Sequence, residues 1–313
     1  MESLKIIFSG SGEFGVPTLR SLVDAGHDVV RVYTQPDRPA GRGRKLSPTP
    51  LAAFALTRGL AVTATPDINV EPLPTADLMV VIAFGQKIAD HVVHHPRLGS
   101  VNLHASRLPK YRGAAPINHA ILRGETVAGN SVIRLAKKMD AGAVLAMSEL
   151  TIGELETAGE LHDRLADDGP TIIARVIDAL TGGSAVETAQ DESQATLAPK
   201  LQRDSTLLDW TRDPGVLARQ IRGLYPWPGC RVKLLVAAKT ELARLTLVRA
   251  RATVGEGDRW LSGEIMTDGT VCAGAGEGIQ IVELQPEGKR PMPLDAYRRG
   301  NRWQPGMRLE SVV

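Results

Sequence analysis

The 313-residue chain has only two cysteines, Cys230 and Cys272, too few and too far apart for a disulfide framework or for a zinc site with Cys/His spacing. A reducing compartment suits such a chain, so a cytoplasmic protein is expected. No apolar run is long enough to span a bilayer, and no signal-peptide layout is present, which argues against a membrane protein. Strong charge is also lacking: 37 Lys and Arg against 35 Asp and Glu leave a formal +2, which excludes a globally basic nucleic-acid coat. Metal ligands are sparse. His91, His94 and His95 invite a metal reading, but no carboxylate or cysteine completes a set, and His95 precedes Pro96, which favours a solvated helix end. No metal is expected.

What is present, 43% hydrophobic and 23% charged residues, suffices for a sizeable core in two domains. Residues 5–8 read as a strand, 16–25 as a helix and 29–33 as the next strand, a βαβ opening. Residues 78–83 form a continuous apolar run of the buried parallel type. Strands follow over 100–105, 131–135 and 144–150, and apolar spacing of three and four predicts a helix over 157–180. Around 182–199 the composition turns to Gly, Ser, Thr, Gln and Asp, placing a first domain over 1–189, a linker over 190–208 and a second domain over 209–313. In the second, a helix over 216–223 precedes Tyr225-Pro-Trp-Pro-Gly229, and short strands over 231–236, 243–251 and 279–284 predict a small all-β barrel. The fold class is therefore α/β: a mostly parallel, Rossmann-like sheet followed by an all-β domain.

Within this frame one segment has the pattern of a site. Asn102 and His104 are two apart on a strand and project to one face, and Ser106 ends the strand at a turn containing Pro109 and Gly113. Downstream stands Met139-Asp140-Ala141-Gly142. An amide N–H and a ring N–H aimed at one point suit an oxygen that gains negative charge as a carbonyl carbon becomes tetrahedral. A carboxylate nearby can orient the histidine and take up a proton. No Ser or Cys sits in a recognisable nucleophile setting, so the nucleophile would come from the substrate, which points to direct group transfer.

The runs TQPDRPAGRGRKLSPTP, NLHASRLPKYRGAAPI, MDAGAVL and LYPWPG, in this order over nearly the whole chain, resemble the methionyl-tRNA formyltransferases, within the 10-formyltetrahydrofolate-dependent formyltransferases. The resemblance implies that Asn102, His104 and Asp140 are the catalytic trio, and that the turn Ser106-Arg107-Leu108-Pro109 contacts folate. It also implies that the second domain is an OB-like barrel. The implied reaction moves the formyl group of 10-formyltetrahydrofolate to the α-amino group of methionyl initiator tRNA, with no obligate protein partner. Two positions depart from the family pattern. Arg107 stands where Leu is usual and must reach solvent or meet an anion, and Ser9-Gly-Ser-Gly-Glu-Phe14 replaces a loop that usually holds Thr-Pro.

Arg38, Arg42, Arg44 and Lys45 crowd a Gly- and Pro-rich loop. By itself such a run is a solvated surface loop, although arginine forks suit phosphate. The resemblance implies contact with the tRNA acceptor arm. Arg244, Arg249 and Arg251, with Lys289, Arg290, Arg298, Arg299 and Arg302, extend the expected footprint into the second domain.

Several rivals are open. The acceptor could instead be a small amine, or water in a hydrolase. Gly10-Ser-Gly12-Glu-Phe-Gly15 between a strand and a helix matches a dinucleotide fingerprint, but the end of the second strand offers Tyr33-Thr34-Gln35 where an acidic ribose ligand is needed. An RNA-binding protein on a Rossmann-like scaffold is the non-enzyme alternative.

Overall fold

The computed structural model describes residues 3–312 apart from 41–44, 237–239, 256, 258 and 275. The chain divides into two compact units: residues 1–113, 128–150 and 162–198 form the first, and 114–127, 151–161 and 199–313 the second.

The first unit is built on a seven-stranded sheet whose strands in chain order are β1 (Lys5–Gly10), β2 (Asp28–Thr34), β3 (Val62–Ala64), β4 (Leu78–Ile82), β5 (Ser100–His104), β6 (Ser131–Arg134) and β7 (Val144–Met147). Their spatial order is β7-β6-β5-β4-β1-β2-β3. The pairs from β3 to β5 are parallel, whereas β6 runs antiparallel to both β5 and β7. Helix α1 (Val16–Asp24) joins β1 to β2, and α2 (Pro50–Thr57) precedes β3. Every residue of β4 is buried, as the continuous apolar run requires of a strand covered on both faces. Ile7, Met79 and Val81 pack with Tyr33, Ile68, Phe84 and Val92 in one apolar cluster.

The second unit contains helix α3 (Pro116–Leu122), helix α5 (Pro214–Gly223) and an antiparallel sheet. Helix α4 (Ala158–Thr181) begins in this unit and continues in the first. The sheet strands are β8 (Cys230–Val236), β9 (Thr240–Thr253), β10 (Val271–Ala273), β11 (Glu277–Pro286) and β12 (Arg308–Val312), ordered β10-β11-β9-β8-β12. Glu264 bridges to Arg308 at one edge and Ile265 to Val271 at the other, so two residues join the open edges and curl the sheet into a small barrel. Trp210, Leu217, Ile221, Leu234, Leu247, Ile281 and Trp303 fill it. Both cysteines lie buried here, and burial pushes the Cys230 thiol up to about 12. Among the described residues no helix is long and apolar enough to cross a membrane.

One ion cluster ties the barrel to the start of α4. Thr157 and Glu160 form a reciprocal cap: the Thr157 N–H donates to the Glu160 carboxylate at 3.0 Å, and the Glu160 N–H donates to Thr157 Oγ1 at 3.3 Å. The Arg249 guanidinium then holds both Glu160 oxygens, at 2.7 and 2.5 Å, and donates to Glu283 at 2.6 Å. These hydrogen bonds lower the Glu160 carboxyl from 4.5 to about 2. A carboxylate lowered on folding stabilises the native state above its unfolded value and loses that contribution as pH falls through the folded one. Acid melts should therefore lose stability between pH 4.5 and about 2. Arg249→Met should flatten that limb, and an unchanged limb would remove Glu160 as its source. Since Glu160 is 47% exposed, solvent screening keeps the effect near the ~1 kcal/mol of an exposed pair.

Candidate active site

β5 delivers two polar side chains to one face of a strand that is otherwise core. Val101 and Leu103 are buried, and Leu103 lies so close to α4 that a Cβ on Gly169 would come within 2.9 Å of it. Alternation then sends Asn102 and His104 to the opposite face. Asn102 pairs with Val81 of β4 and Ile133 of β6, near the carboxyl end of the parallel strands, where open α/β sheets bind ligands.

His104 is 7% exposed, and both ring nitrogens face protein oxygens. Nε2 lies 2.9 Å from the Tyr111 carbonyl, which can only accept, so Nε2 carries a proton. Nδ1 faces Asp140 Oδ2 at 3.7 Å, close enough for charge attraction but too long for a hydrogen bond. Nδ1 is thus the ring atom with freedom to engage a substrate. The Gly113 N–H donates to Asp140 Oδ2 at 2.9 Å.

The backbone that makes these contacts is conformationally unusual. Tyr111 (φ 63°) and Asp140 (φ 54°) both lie in the left-handed region. A non-glycine residue there costs on the order of 1–3 kcal/mol, less for Asp than for Tyr, and persists only where its surroundings fix it. For Tyr111 that surrounding is Thr196, whose Oγ1 accepts from the Tyr111 N–H at 2.9 Å, while the chain at 197–198 pairs in parallel with Arg112–Gly113. For Asp140 it is Gln190, whose Nε2 donates to the Asp140 and Gly142 carbonyls, both at 2.8 Å. Gln190 Oε1 in turn accepts from Arg112 Nε and Nη2 at 3.1 and 2.7 Å. The buried Arg112 guanidinium also grips Glu192, and this bond, together with one from Lys138, lowers the Glu192 carboxyl to about 2.

Sequence reasoning did not find Tyr111, Arg112, Gly113, Gln190 or Glu192. Three of them act through backbone atoms or a side chain beside the trio's own motif. Gln190 and Glu192 stand in a polar stretch that reads as linker because nothing apolar marks its partner. Residues 190–198 belong to the first unit.

The Ser106–Pro109 turn adjoins this site. Ser131 Oγ donates to the Ser106 carbonyl at 2.7 Å and accepts from the Leu108 N–H at 3.0 Å, and the Ser106 hydroxyl donates to the Lys110 carbonyl at 2.6 Å. Leu108 is buried, and the Leu108-Pro109 peptide is cis. Arg107 meets an anion of the protein itself, Glu149 at 2.9 Å, with both side chains largely in solvent.

The first and last glycines of the turn after β1 are packed against the core, while Gly12 between them is open. A Cβ on Gly10 would sit 3.0 Å from the fully buried Leu51 of α2, and one on Gly15 3.5 Å from the same side chain, so these two glycines serve close packing of the turn on α2. At the end of β2, Thr34 Oγ1 is 2.6 Å from Thr49 Oγ1, and the Gln35 N–H donates to Ser11 Oγ, a hydroxyl network with no carboxylate for a ribose. Among the described residues no group of three His, Cys, Asp or Glu could hold a metal ion. His91 and His95 instead meet the carbonyls of Asn69 and Pro74.

Of the cationic loop, Arg42 and Arg44 lie outside the described residues. Arg38–Ala40 and Lys45–Ser47 pair as short antiparallel strands, and the exposed Arg38 lies 3.4 Å from Gln35 Oε1. In the barrel, Arg249 departs from the expected nucleic-acid footprint, since its guanidinium is consumed by Glu160 and Glu283. Arg244 pairs with Glu241 and Arg251 with Gln280, whereas Lys289, Arg290, Arg298, Arg299 and Arg302 are exposed.

Residues 4–177 match the family Formyl transferase, and residues 200–302 match Formyl transferase, C-terminal domain. The methionyl-tRNA formyltransferase of Geobacter sulfurreducens is 41% identical over 318 residues, covering 99% of this chain and 98% of that protein. That of Moorella thermoacetica is 37% identical over 316 residues, covering 99% and 100%. Among solved structures, an N-formyltransferase from Helicobacter canadensis in complex with folinic acid and dTDP-3-aminofucose superposes with a TM-score of 0.65 at 15% identity, covering 88% of this chain and 98% of that one, a likeness of fold. From both family matches and from relatives matched over nearly their whole length, the chain belongs to the formyl transferase family, among the methionyl-tRNA formyltransferases.

Proposed function

We propose that Asn102, His104 and Asp140 carry out the transfer of a formyl group from 10-formyltetrahydrofolate to the α-amino group of methionine on charged initiator tRNA. The observation that carries this reading is the convergence of His104 and Asp140, 3.7 Å apart, beside Asn102 at the carboxyl end of the sheet. The free amine attacks the formyl carbon, a new C–N bond forms, and the bond from that carbon to N10 of the folate breaks. The amine loses one proton, and the departing folate nitrogen gains one.

Negative charge develops on the formyl oxygen, where the Asn102 amide and His104 Nδ1–H supply donors. With Nε2–H committed to Tyr111, only the doubly protonated ring has a second N–H to offer, and Asp140 supplies the opposite charge. Asp140 Oδ2 is held by Gly113, which leaves Oδ1 to receive the amine proton. Folate lies against the Ser106–Pro109 turn, with Ser106, Arg107, Leu108 and Pro109 as its contacts. The residues act without a protein-bound metal. Arg38, Arg42, Arg44 and Lys45 contact tRNA phosphate, and the reaction belongs to translation initiation in the cytoplasm.

The test offers 10-formyltetrahydrofolate, labelled in the formyl carbon, to charged methionyl initiator tRNA, uncharged tRNA, free methionine and glycinamide ribonucleotide in separate reactions. Esterification lowers the pKa of the amine, so charged tRNA presents more of the reactive free base, and remote contacts with the tRNA add binding energy. Label should appear on the esterified methionine and scarcely elsewhere. Replacing Arg42 and Arg44 with Ala should weaken charged-tRNA binding and flatten its salt dependence. Transfer chiefly to the ribonucleotide would overturn the tRNA reading and keep the formyl chemistry.

A further inference from the structure

We infer that Gln190 is a positioning residue for the formyl transfer, setting the Asp140 carboxylate through the backbone of its turn. This inference rests on the catalytic reading of Asp140 given above. A carboxamide has two N–H bonds and one carbonyl oxygen, and each has a defined partner here. The N–H groups span the Asp140 and Gly142 carbonyls, two residues apart, and so hold the turn that follows the left-handed Asp140. The oxygen is anchored by two N–H groups of Arg112.

Arg112 cannot move freely. Its side chain is 4% exposed, its far edge is bonded to Glu192 at 2.7 and 3.2 Å, and its backbone N–H donates to the Thr196 carbonyl at 2.9 Å. The residue on either side of it touches the site directly. The Tyr111 carbonyl holds His104 Nε2, and the Gly113 N–H holds Asp140 Oδ2. The backbone of one tripeptide therefore fixes the ring and the carboxylate, while Gln190 carries the position of Arg112 across to the turn on which that carboxylate is mounted. Only a neutral amide can do this, because the site needs donors on one side and an acceptor on the other. A displacement of about 1 Å between reacting groups can cost ~100-fold in rate, so the bridge matters for turnover even though it contacts no substrate.

Gln190→Glu separates positioning from plain support. It keeps the shape and gives Arg112 a charged partner, so the packing around Arg112 is preserved, but it sets a carboxylate oxygen against two carbonyl oxygens where N–H groups were. Single-turnover transfer from 10-formyltetrahydrofolate to charged methionyl-tRNA should slow about 10- to 100-fold, with KM for both substrates within about twofold and the melting temperature maintained. In an Asp140→Asn background the same substitution should cost little more, since the group it positions is already disabled. Wild-type single-turnover rates for Gln190→Glu, or full additivity in the double variant, would overturn the inference while Asp140→Asn alone stays slow. Wild-type rates for Asp140→Asn would instead overturn the catalytic reading on which it rests.

Discussion

Alanine at Asn102 or at His104 should each lower the single-turnover rate of formyl transfer by roughly 100-fold or more, the scale on which a preorganised donor to a developing oxyanion acts. The two losses have different structural settings. Asn102 lies on a strand paired on both sides, so its truncation leaves the β4 and β6 ladders intact, and the variant should melt like the parent. His104 is buried, and its Nε2–H meets the Tyr111 carbonyl, so His104→Ala also orphans that acceptor at a cost of about 1–3 kcal/mol. Asp140→Asn should be severely slowed, because it keeps shape but removes the charge facing Nδ1 and the proposed proton acceptor. Substrate KM values should move far less than turnover in all three, as expected when the lost interaction is made in the transition state. Near-parental rates in all three variants would dismiss this cluster as the site.

The strands that build the site were legible because burial imposes a pattern on them. The apolar runs of β1 and β4 and the two-residue spacing of Asn102 and His104 follow from a period that a one-residue slip would invert. The barrel was legible from its short strands, but the residues that close it were not. Glu264 and Ile265 join both edges with one residue each, too short a segment to show any period. At the candidate site, Asn102, His104 and Asp140 could be singled out by residue type and spacing, whereas the atoms that hold His104 and Asp140 could not. The Tyr111 carbonyl and Gly113 N–H belong to every residue alike, and the sequence assigns them no special chemistry. Gln190 is 50 residues from Asp140, and a lone glutamine in a polar stretch carries no periodic mark. Charge was the least readable feature. Arg249 and Arg42 look alike in the sequence, yet Arg249 lies between two carboxylates of its own unit.

Gly142→Ala should abolish most activity through the backbone of the Asp140 turn. An added Cβ would lie 1.8 Å from the Arg134 carbonyl oxygen and 2.8 Å from its carbon, far inside any tolerated contact. Arg134 cannot yield. It ends β6, is registered opposite Val101 of β5, donates its N–H to the Ala143 carbonyl at 2.9 Å, and has its guanidinium fastened to the Leu98 carbonyl and to Glu187. The turn must move instead, and Asp140 moves with it, together with the Gly142 carbonyl that Gln190 holds. Overpacking of this kind costs about 1–3 kcal/mol of stability, and displacement of the carboxylate by about 1 Å costs ~100-fold in rate. Gly300→Ala is the matched control, because a Cβ there would meet nothing within 4 Å. Thermal melts and single-turnover rates on both variants decide the matter: the first should melt earlier and transfer slowly, the second should match the parent. A Gly142→Ala protein with parental melting and parental rate would show that the backbones of residues 134 and 142 do not approach as described, and the account of how Asp140 is held would fall with that contact.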